Sequence, residues 1–487
     1  MVELQKDHCI SLKDGEFDIP STSKSDLDHL FNILPTAPGH EKLVVHFHGG
    51  LVDKQSAMNN AMSLLDRYQN LNAYQLFFIW ESSISNVLQN KLNEISKELI
   101  FQQLLLHIVP LVAAKVGTGE EQLKLPQGQN VLTALSRFAA RQPIQHPAQE
   151  QLQETEKAKL RQGLQQDSVV QAETSSIAQT LLPKNARETQ TVMPGLPVRG
   201  STHSLISSAV LPLREGLDAA ERQLATTTAI IEKSIPIVGS VLERFNHGRD
   251  HGLYATVVEE IVRQLYLAEV GEGIWDAIKQ ETLNAFHNDP QRYGGTAFLL
   301  GLKKYWEGGH RPRITLVGHS AGAVYICNVL QHAAVYGLPA DVKFDLVLLA
   351  PACTFELFDK TTKQCKDRIN AVRIFGMQDK IELDDQVVPA VPALYPHSLL
   401  YLVSGAFEEE ADTPILGMQR YYTSKAPYNQ KILLDALDYL VPPNDLVWSP
   451  TNDGPGLASN ALHHGEFYSN DLTLQSLGQI IENGLIP

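Results

Sequence analysis

Cysteine is scarce: only Cys9, Cys327, Cys353 and Cys365 occur in 487 residues. None stands in a CxxC or other ligand spacing, so neither a disulfide framework nor a cysteine-built metal site is indicated. They fit small buried hydrophobes in a reducing compartment. Positive charge is also short, with 40 Lys and Arg against 55 Asp and Glu and a formal net charge of -15. Counterion release needs clustered cations, so this balance argues against nucleic acid or an anionic membrane as a partner. Long apolar runs are missing. The most apolar stretch, LIFQQLLLHIVPLVAAKVG, is broken by Gln102, Gln103, His107 and Pro110 and falls short of the roughly 20 apolar residues of a membrane span. The first residues, MVELQKDHCISLKDGEFDIP, lack the continuous apolar core of a secretory signal. No integral membrane segment and a cytoplasmic location are therefore expected. No phosphate-binding glycine loop of the P-loop or dinucleotide type occurs, so no nucleotide cofactor is expected.

What is present is an alternation of apolar runs and helical patterns. KLVVHFHGG from Lys42 reads as a buried strand feeding a tight loop, and YQLFFIWESS as a second strand. Asp53 to Tyr68 and Ile84 to Val112 carry helical spacing. From about 114 to 250 the character changes to Gln, Glu and Ala, then to a stretch studded with Pro and Gly, without any strand pattern. Leu211 to Phe245 has enough spaced apolar residues to pack on something. Alternation then resumes, with helical patterns at Leu253 to His287 and Gly294 to Trp306. The strand RITLVGHS, a helix at Ala321 to Tyr336, and the strands KFDLVLLAPA and AVRIFGMQD follow. SLLYLVSGAF fits strand or helix, NDLVWSP a short strand, and Thr473 to Leu485 a final helix. Interleaved strands and helices imply an α/β fold, a mostly parallel sheet covered by helices on both faces. The expected division is a core made of 1–113 and 251–487, with 114–250 as a helical insertion, a candidate cap or lid and a candidate surface for a protein partner or a second copy.

The sharpest local feature is Gly318-His319-Ser320-Ala321-Gly322, where a strand turns directly into a helix. A serine on so tight a turn must adopt strained backbone angles, and small residues two positions away let strand and helix pass closely. Gly318 and Gly322 meet that need, with His319 between them. The following helix points its positive end at the site, which favours an oxyanion. A serine hydroxyl needs a base and an orienting carboxylate. His464, in ALHHGEFYSNDLTL, lies between the last strand and the last helix; His463 is its rival, and Gly465 favours His464 by letting the chain turn beside it. Asp379 follows RIFGMQ at a strand's carboxyl end, with Glu382, Asp384 and Asp385 as competitors. Asp345 lies at the wrong end of its strand. Backbone amides for an oxyanion are expected from Ala321 and from the Gly49, Gly50, Leu51 loop, whose glycines turn amides inward without a clashing Cβ.

On these motifs the chain resembles the α/β-hydrolases, over approximately Lys42 to Val112 and Leu253 to Pro487. His48-Gly49-Gly50 is similar to the HGG-type oxyanion loop of esterases and lipases, Gly318 to Gly322 to the nucleophile elbow, and His464-Gly465 to the histidine loop. The resemblance implies a Ser320, Asp379, His464 triad, an oxyanion hole at Gly49, Gly50, Leu51 and Ala321, an acyl-enzyme and no cofactor or metal. The substrate expected is a small-molecule or lipid ester. A serine peptidase or amidase shares every motif and differs by a pocket charge that fixes a peptide terminus. A third class keeps the fold for binding alone. Two departures stand out: little chain precedes the first core strand, so the usual leading antiparallel strands are expected to be missing or reduced, and Leu51 replaces the third glycine of many esterases. His46, His48, His463 and His464 carry a His-x-His pair, but lack the further Asp and His of many metal sites. In FNHGRDHG, Asp250 is expected to cap the next helix, with His247 and His251 at its frayed start.

Overall fold

A computed structural model describes residues 4, 6–19, 21–50, 52–80, 84–117, 130–140, 151–180, 206, 217–266, 272–386, 394–440 and 444–485. Its centre is an eight-stranded sheet: β1 (Cys9–Lys13), β2 (Glu16–Phe17), β3 (Lys42–Phe47), β4 (Tyr74–Trp80), β5 (Arg313–His319), β6 (Phe344–Leu349), β7 (Ile369–Met377) and β8 (Leu446–Ser449). The order is β2-β1-β4-β3-β5-β6-β7-β8. Every neighbouring pair is parallel except β1 with β2. The fold is thus α/β with a mostly parallel sheet flanked by helices.

Branched and aromatic runs make these strands. KLVVHF, YQLFFIW and FDLVLL are buried on both faces almost throughout, which is why they read as continuous apolar segments. Register aligns their carboxyl ends: Phe47 pairs with Gly318 and Phe78, and Gly318 with Leu348. The loops leaving β3, β5, β6 and β7 therefore open on one edge of the sheet, where ligand sites of parallel sheets form.

The leading strands are present in reduced form, five and two residues long. β1 and β2 form a short antiparallel hairpin, and β1 pairs parallel to β4 through Cys9 to Leu12. The five residues of β1 are too short a run to stand out, and β4 supplies the ladder.

Helices account for the rest. The pattern from Ile84 to Val112 divides into Ile84–Lys97 and Leu99–Val116, because Glu98 leaves helical angles at φ -66, ψ 121. Leu99–Val116 is the one helix among the described residues long and apolar enough to cross a bilayer, and half of it is buried. Helices Glu154–Gln166, Ser168–Thr180 and Ala219–Asn246 pack on it and on one another. Ile230, Ile237, Val238, Val241 and Phe245 bury one side of the last. The Pro- and Gly-rich stretch before it lies outside the described residues. Leu253 to His287 is not continuous: an α-helix Leu253–Ile261 widens into a π turn, Val262–Tyr266, and a separate helix spans Glu272–Asn284. SLLYLVSGAF is helical, Leu399–Leu402 running into a π turn at Val403–Phe407.

Candidate active site

Ser320 follows β5 directly with φ 53, a left-handed angle that costs a non-glycine residue about 1–3 kcal/mol. The surrounding backbone imposes it. Ser320 N–H donates to the Leu349 carbonyl at 2.9 Å, and the Ser320 carbonyl accepts from Ala352 and Ala323 at 3.0 and 3.1 Å; each such bond is worth about 1 kcal/mol. The glycines are required by contact. A Cβ on Gly322 would lie 2.2 Å from the Phe47 carbonyl oxygen, and one on Gly318 would lie 2.7 Å from that of Gly322. Elbow and β3 are pressed together with no space for side chains.

His464 reaches Ser320. His464 Nε2 is 3.0 Å from Ser320 Oγ, and both residues are buried. Burial, with the neighbouring His319, holds His464 well below the usual histidine range, so it is neutral. A neutral Nε2 accepts the serine proton, which puts the imidazole's own proton on Nδ1. Nδ1 is buried and, among the described residues, has no hydrogen-bond partner.

What fixes His464 is its main chain. Asp385 Oδ2 accepts from His464 N–H at 2.8 Å, and its Oδ1 from His463 Nδ1–H at 2.9 Å. On the other side His319 Nε2–H donates to the His464 carbonyl at 2.9 Å. A carbonyl only accepts, so His319 carries its proton on Nε2; burial lowers it to about 4. Glu466 then holds the loop from below, accepting from Leu462 and His463 amides at 2.8 and 3.3 Å. His463 is largely exposed and is raised by its bond to Asp385. Of the two adjacent histidines, only His464 reaches the serine.

Asp379 is directed elsewhere. Its Oδ1 accepts from Tyr401 Oη–H at 2.7 Å and its amide donates to Gln419 at 2.9 Å; no contact joins it to His464. The short helix Asp379–Glu382 turns its first carboxylate toward the segment after 398 and carries Asp385 round to the histidine loop. Proximity to the end of β7 therefore did not select the carboxylate that touches the loop.

The glycine loop lies against Ser320. A Cβ on Gly49 would meet Ser320 Cβ at 3.2 Å, and one on Gly50 would meet Ala321 Cβ at 3.1 Å. His48 sets its orientation, a role the sequence did not disclose. Its Nε2 accepts from Trp80 N–H at 3.1 Å, so its proton is on Nδ1, which donates to the Gly49 carbonyl at 2.8 Å. With that carbonyl engaged, the trans peptide points the Gly50 amide the opposite way. Ala321 precedes the helix Gly322–Val335, where amides have no intrahelical acceptor. Leu51 lies outside the described residues.

Above Ser320 is an apolar slot lined by Gly50, Ala352, Trp275, Ile278, Val403 and Phe407, among others. Among the described residues no charged side chain lines it. Its free volume is about 10 Å³, roughly the space one water molecule needs. The helix Glu272–Asn284 forms one wall, tied to the opposite one through Glu408, which accepts from Trp275 Nε1–H at 2.5 Å and from Lys279 at 3.1 Å.

FNHGRDHG departs from expectation. Gly252, at φ 84, is the N-cap of the next helix, and Asp250 accepts from the Gly252 amide. His251 is wholly buried between two carboxylates, Nδ1 on Glu259 at 2.8 Å and Nε2 on Asp412 at 3.0 Å. Arg244 forms an ion pair with Glu259 at 2.7 Å, while Arg249, Tyr421 and Tyr428 converge on Asp412. Residues far apart in the chain neutralise one another here, which is why local sequence suggested only a frayed helix start. Among the described residues no group of three or more His, Cys, Asp or Glu has the arrangement of a metal site.

Compared with protein-family models, curated proteins and solved structures, the chain matches none.

Proposed function

We propose that the chain is a serine hydrolase of the α/β-hydrolase type that cleaves carboxylic esters of apolar, lipid-like acids. The observation that carries this is the 3.0 Å contact between Ser320 Oγ and neutral His464 Nε2 at a strained strand-to-helix turn. His464 takes the Ser320 proton as Oγ attacks the ester carbonyl. Amides at Gly50 and Ala321 receive the oxyanion. The protonated imidazole gives its proton to the departing alcohol, leaving an acyl-serine, and water activated by the same imidazole releases the acid. The helical segment of 114–250 is the insertion of this architecture.

The slot supports an ester of an apolar acid over a peptide. A peptidase that recognises a chain terminus needs a fixed charge, whereas Trp275, Ile278, Val403 and Phe407 offer an acyl chain dispersion and desolvation only. The test is incubation with a fluorophosphonate, digestion and mass spectrometry, followed by p-nitrophenyl esters of graded chain length beside peptide anilides. An adduct on Ser320, absent from Ser320→Ala, with turnover rising from acetyl to longer acyl groups, supports the assignment. An adduct elsewhere, or preference for the anilides, overturns it.

A further inference from the structure

Among the described residues the catalytic pair leaves the back of its imidazole without a hydrogen-bond partner, and the fold buries a carboxyl whose oxygens complete no hydrogen bond. Glu382 is 0% exposed; among the described residues neither Oε1 nor Oε2 meets a donor in hydrogen-bond geometry, the Ser398 hydroxyl approaching without completing a bond. The turn that carries it continues past the helix Asp379–Glu382, since Asp384 and Asp385 amides both donate to the Ile381 carbonyl at 3.0 and 2.9 Å. Glu382 and Asp385 are three residues apart on that turn and so share one face. Asp385 already touches the His464 amide at 2.8 Å, which puts the face they share against the histidine loop. Both Asp385 oxygens are occupied, by His464 N–H and His463 Nδ1–H, and Asp379 is held by Tyr401.

Resting on the serine-hydrolase assignment, we infer that Glu382, not Asp379, is the positioning residue for the His464 ring, accepting from Nδ1–H when Nε2 takes the Ser320 proton. A buried donor and a buried acceptor that complete no hydrogen bond each carry a desolvation penalty, and a Glu382 side chain turned to the histidine loop lowers both. The proton accounting closes. Ser320 gives its proton to Nε2; the imidazolium then holds one proton on each nitrogen, and the one on Nδ1 is shared toward Glu382 without leaving the ring.

The titratable groups around the turn are Asp379 and Asp385 on it, His463 and His464 in the histidine loop, and His397 and Tyr401 beside it. Burial pushes Glu382 up to about 8; Ser398 opposes the rise, and Asp385 and Asp379 add to it. At neutral pH the carboxyl is therefore largely protonated, and it gains its full strength as an acceptor only on the alkaline side. An alkaline limb in the rate belongs to this residue.

The experiment compares Glu382→Gln, Glu382→Asp, Asp379→Asn and Asp385→Asn with the parent protein. The readouts are the pH profile of fluorophosphonate labelling at Ser320 and the imidazole N–H proton resonances of His464. In the parent, labelling accelerates through pH 8, and a downfield Nδ1–H resonance appears over the same range. Glu382→Gln slows labelling roughly 10²–10⁴-fold, the scale for loss of an orienting carboxylate, and abolishes both the limb and the resonance; Glu382→Asp keeps the limb at reduced rate. Asp379→Asn keeps the limb and the resonance, with labelling near the parent rate, but moves both toward lower pH, since Asp379 is one of the charges that raise Glu382. Ser320→Ala retains the resonance, because Nδ1 does not face the serine. The inference is overturned if Glu382→Gln labels at the parent rate with the parent profile, or if Asp379→Asn or Asp385→Asn removes the limb while Glu382→Gln keeps it. A parent protein that never labels, yet shows the Glu382-dependent resonance, refutes the hydrolase assignment and leaves the pairing standing.

Discussion

Closure of the slot over Ser320 is a quantity that can be perturbed. Glu408→Ala removes both polar ties between the helix Glu272–Asn284 and the segment after 399: Trp275 Nε1–H to Oε1 at 2.5 Å and Lys279 Nζ to Oε2 at 3.1 Å. A buried hydrogen bond to a charged group contributes about 1.5–3 kcal/mol. The Lys279 tie is discounted because that side chain is 32% exposed. The closed form then loses about 2 kcal/mol, and at about 1.4 kcal/mol per factor of ten the open fraction rises roughly 30-fold. The assay is the pseudo-first-order rate of fluorophosphonate capture at Ser320, followed by intact mass, with circular dichroism to show that the variant is folded. Labelling becomes 10- to 30-fold faster if opening limits access, on the order of the population shift just given. Glu408→Gln, which keeps an acceptor for Trp275, falls between. A folded Glu408→Ala that labels no faster than the parent refutes the idea that this helix gates the serine.

Other consequences are measurable by unfolding. Gly322→Ala drives a Cβ into the Phe47 carbonyl, 2.2 Å away and unable to rotate aside, and should cost about 3 kcal/mol or more; a parent-like urea midpoint would contradict the elbow packing. Burial lowers His46, His48 and His319 from 6.5 to about 4, so the unfolded chain binds more protons than the native one between those values. Their contribution to stability is complete above pH 6.5 and is lost as pH falls to about 4. Glu382, raised from 4.5 to about 8, acts in the opposite sense and weakens stability as pH rises over that interval. Urea midpoints measured from pH 4.5 to 8.5 should show a maximum, with the alkaline fall removed in Glu382→Gln. Asp412→Asn leaves His251, Arg249 and Arg420 short of a buried counter-charge and should cost about 3–5 kcal/mol, seen as a lower midpoint for a variant whose secondary structure is intact.

The sheet was legible where branched residues run together, as in LVVHF and LVLL, because a strand buried on both faces needs no alternation to be seen. CISLK was not legible, since its strand character comes from β4 beside it. Ser320 and His464 could be found from short motifs because the constraints on them are local: glycines at fixed offsets, a turn after a strand. The carboxylates could not be sorted in the same way. Asp379, Glu382 and Asp385 fall within seven residues of one another, and which one faces the histidine depends on the phase of a single turn. His48 could be read only as part of the glycine loop and of a His-x-His pair, because its true partners, the Trp80 amide and its neighbour's carbonyl, are backbone atoms. His251 was misjudged for a similar reason, with Asp412 lying 161 residues away.

That cluster also bears on how the molecule can be cut. Composition invites removal of the helical segment at residue 250, yet Arg244 and Arg249 lie on the discarded side of such a cut, while Glu259, Glu260 and Asp412 stay behind. Those three acids are almost entirely enclosed, so an excised protein would keep the burial and lose the cations that make it tolerable. A workable trimmed form has to retain the last turns of the helix Ala219–Asn246 together with Arg249, or exchange the stranded acids for uncharged residues in the same step. The practical seam of this protein is drawn by charge pairing, several residues away from where the sequence changes texture.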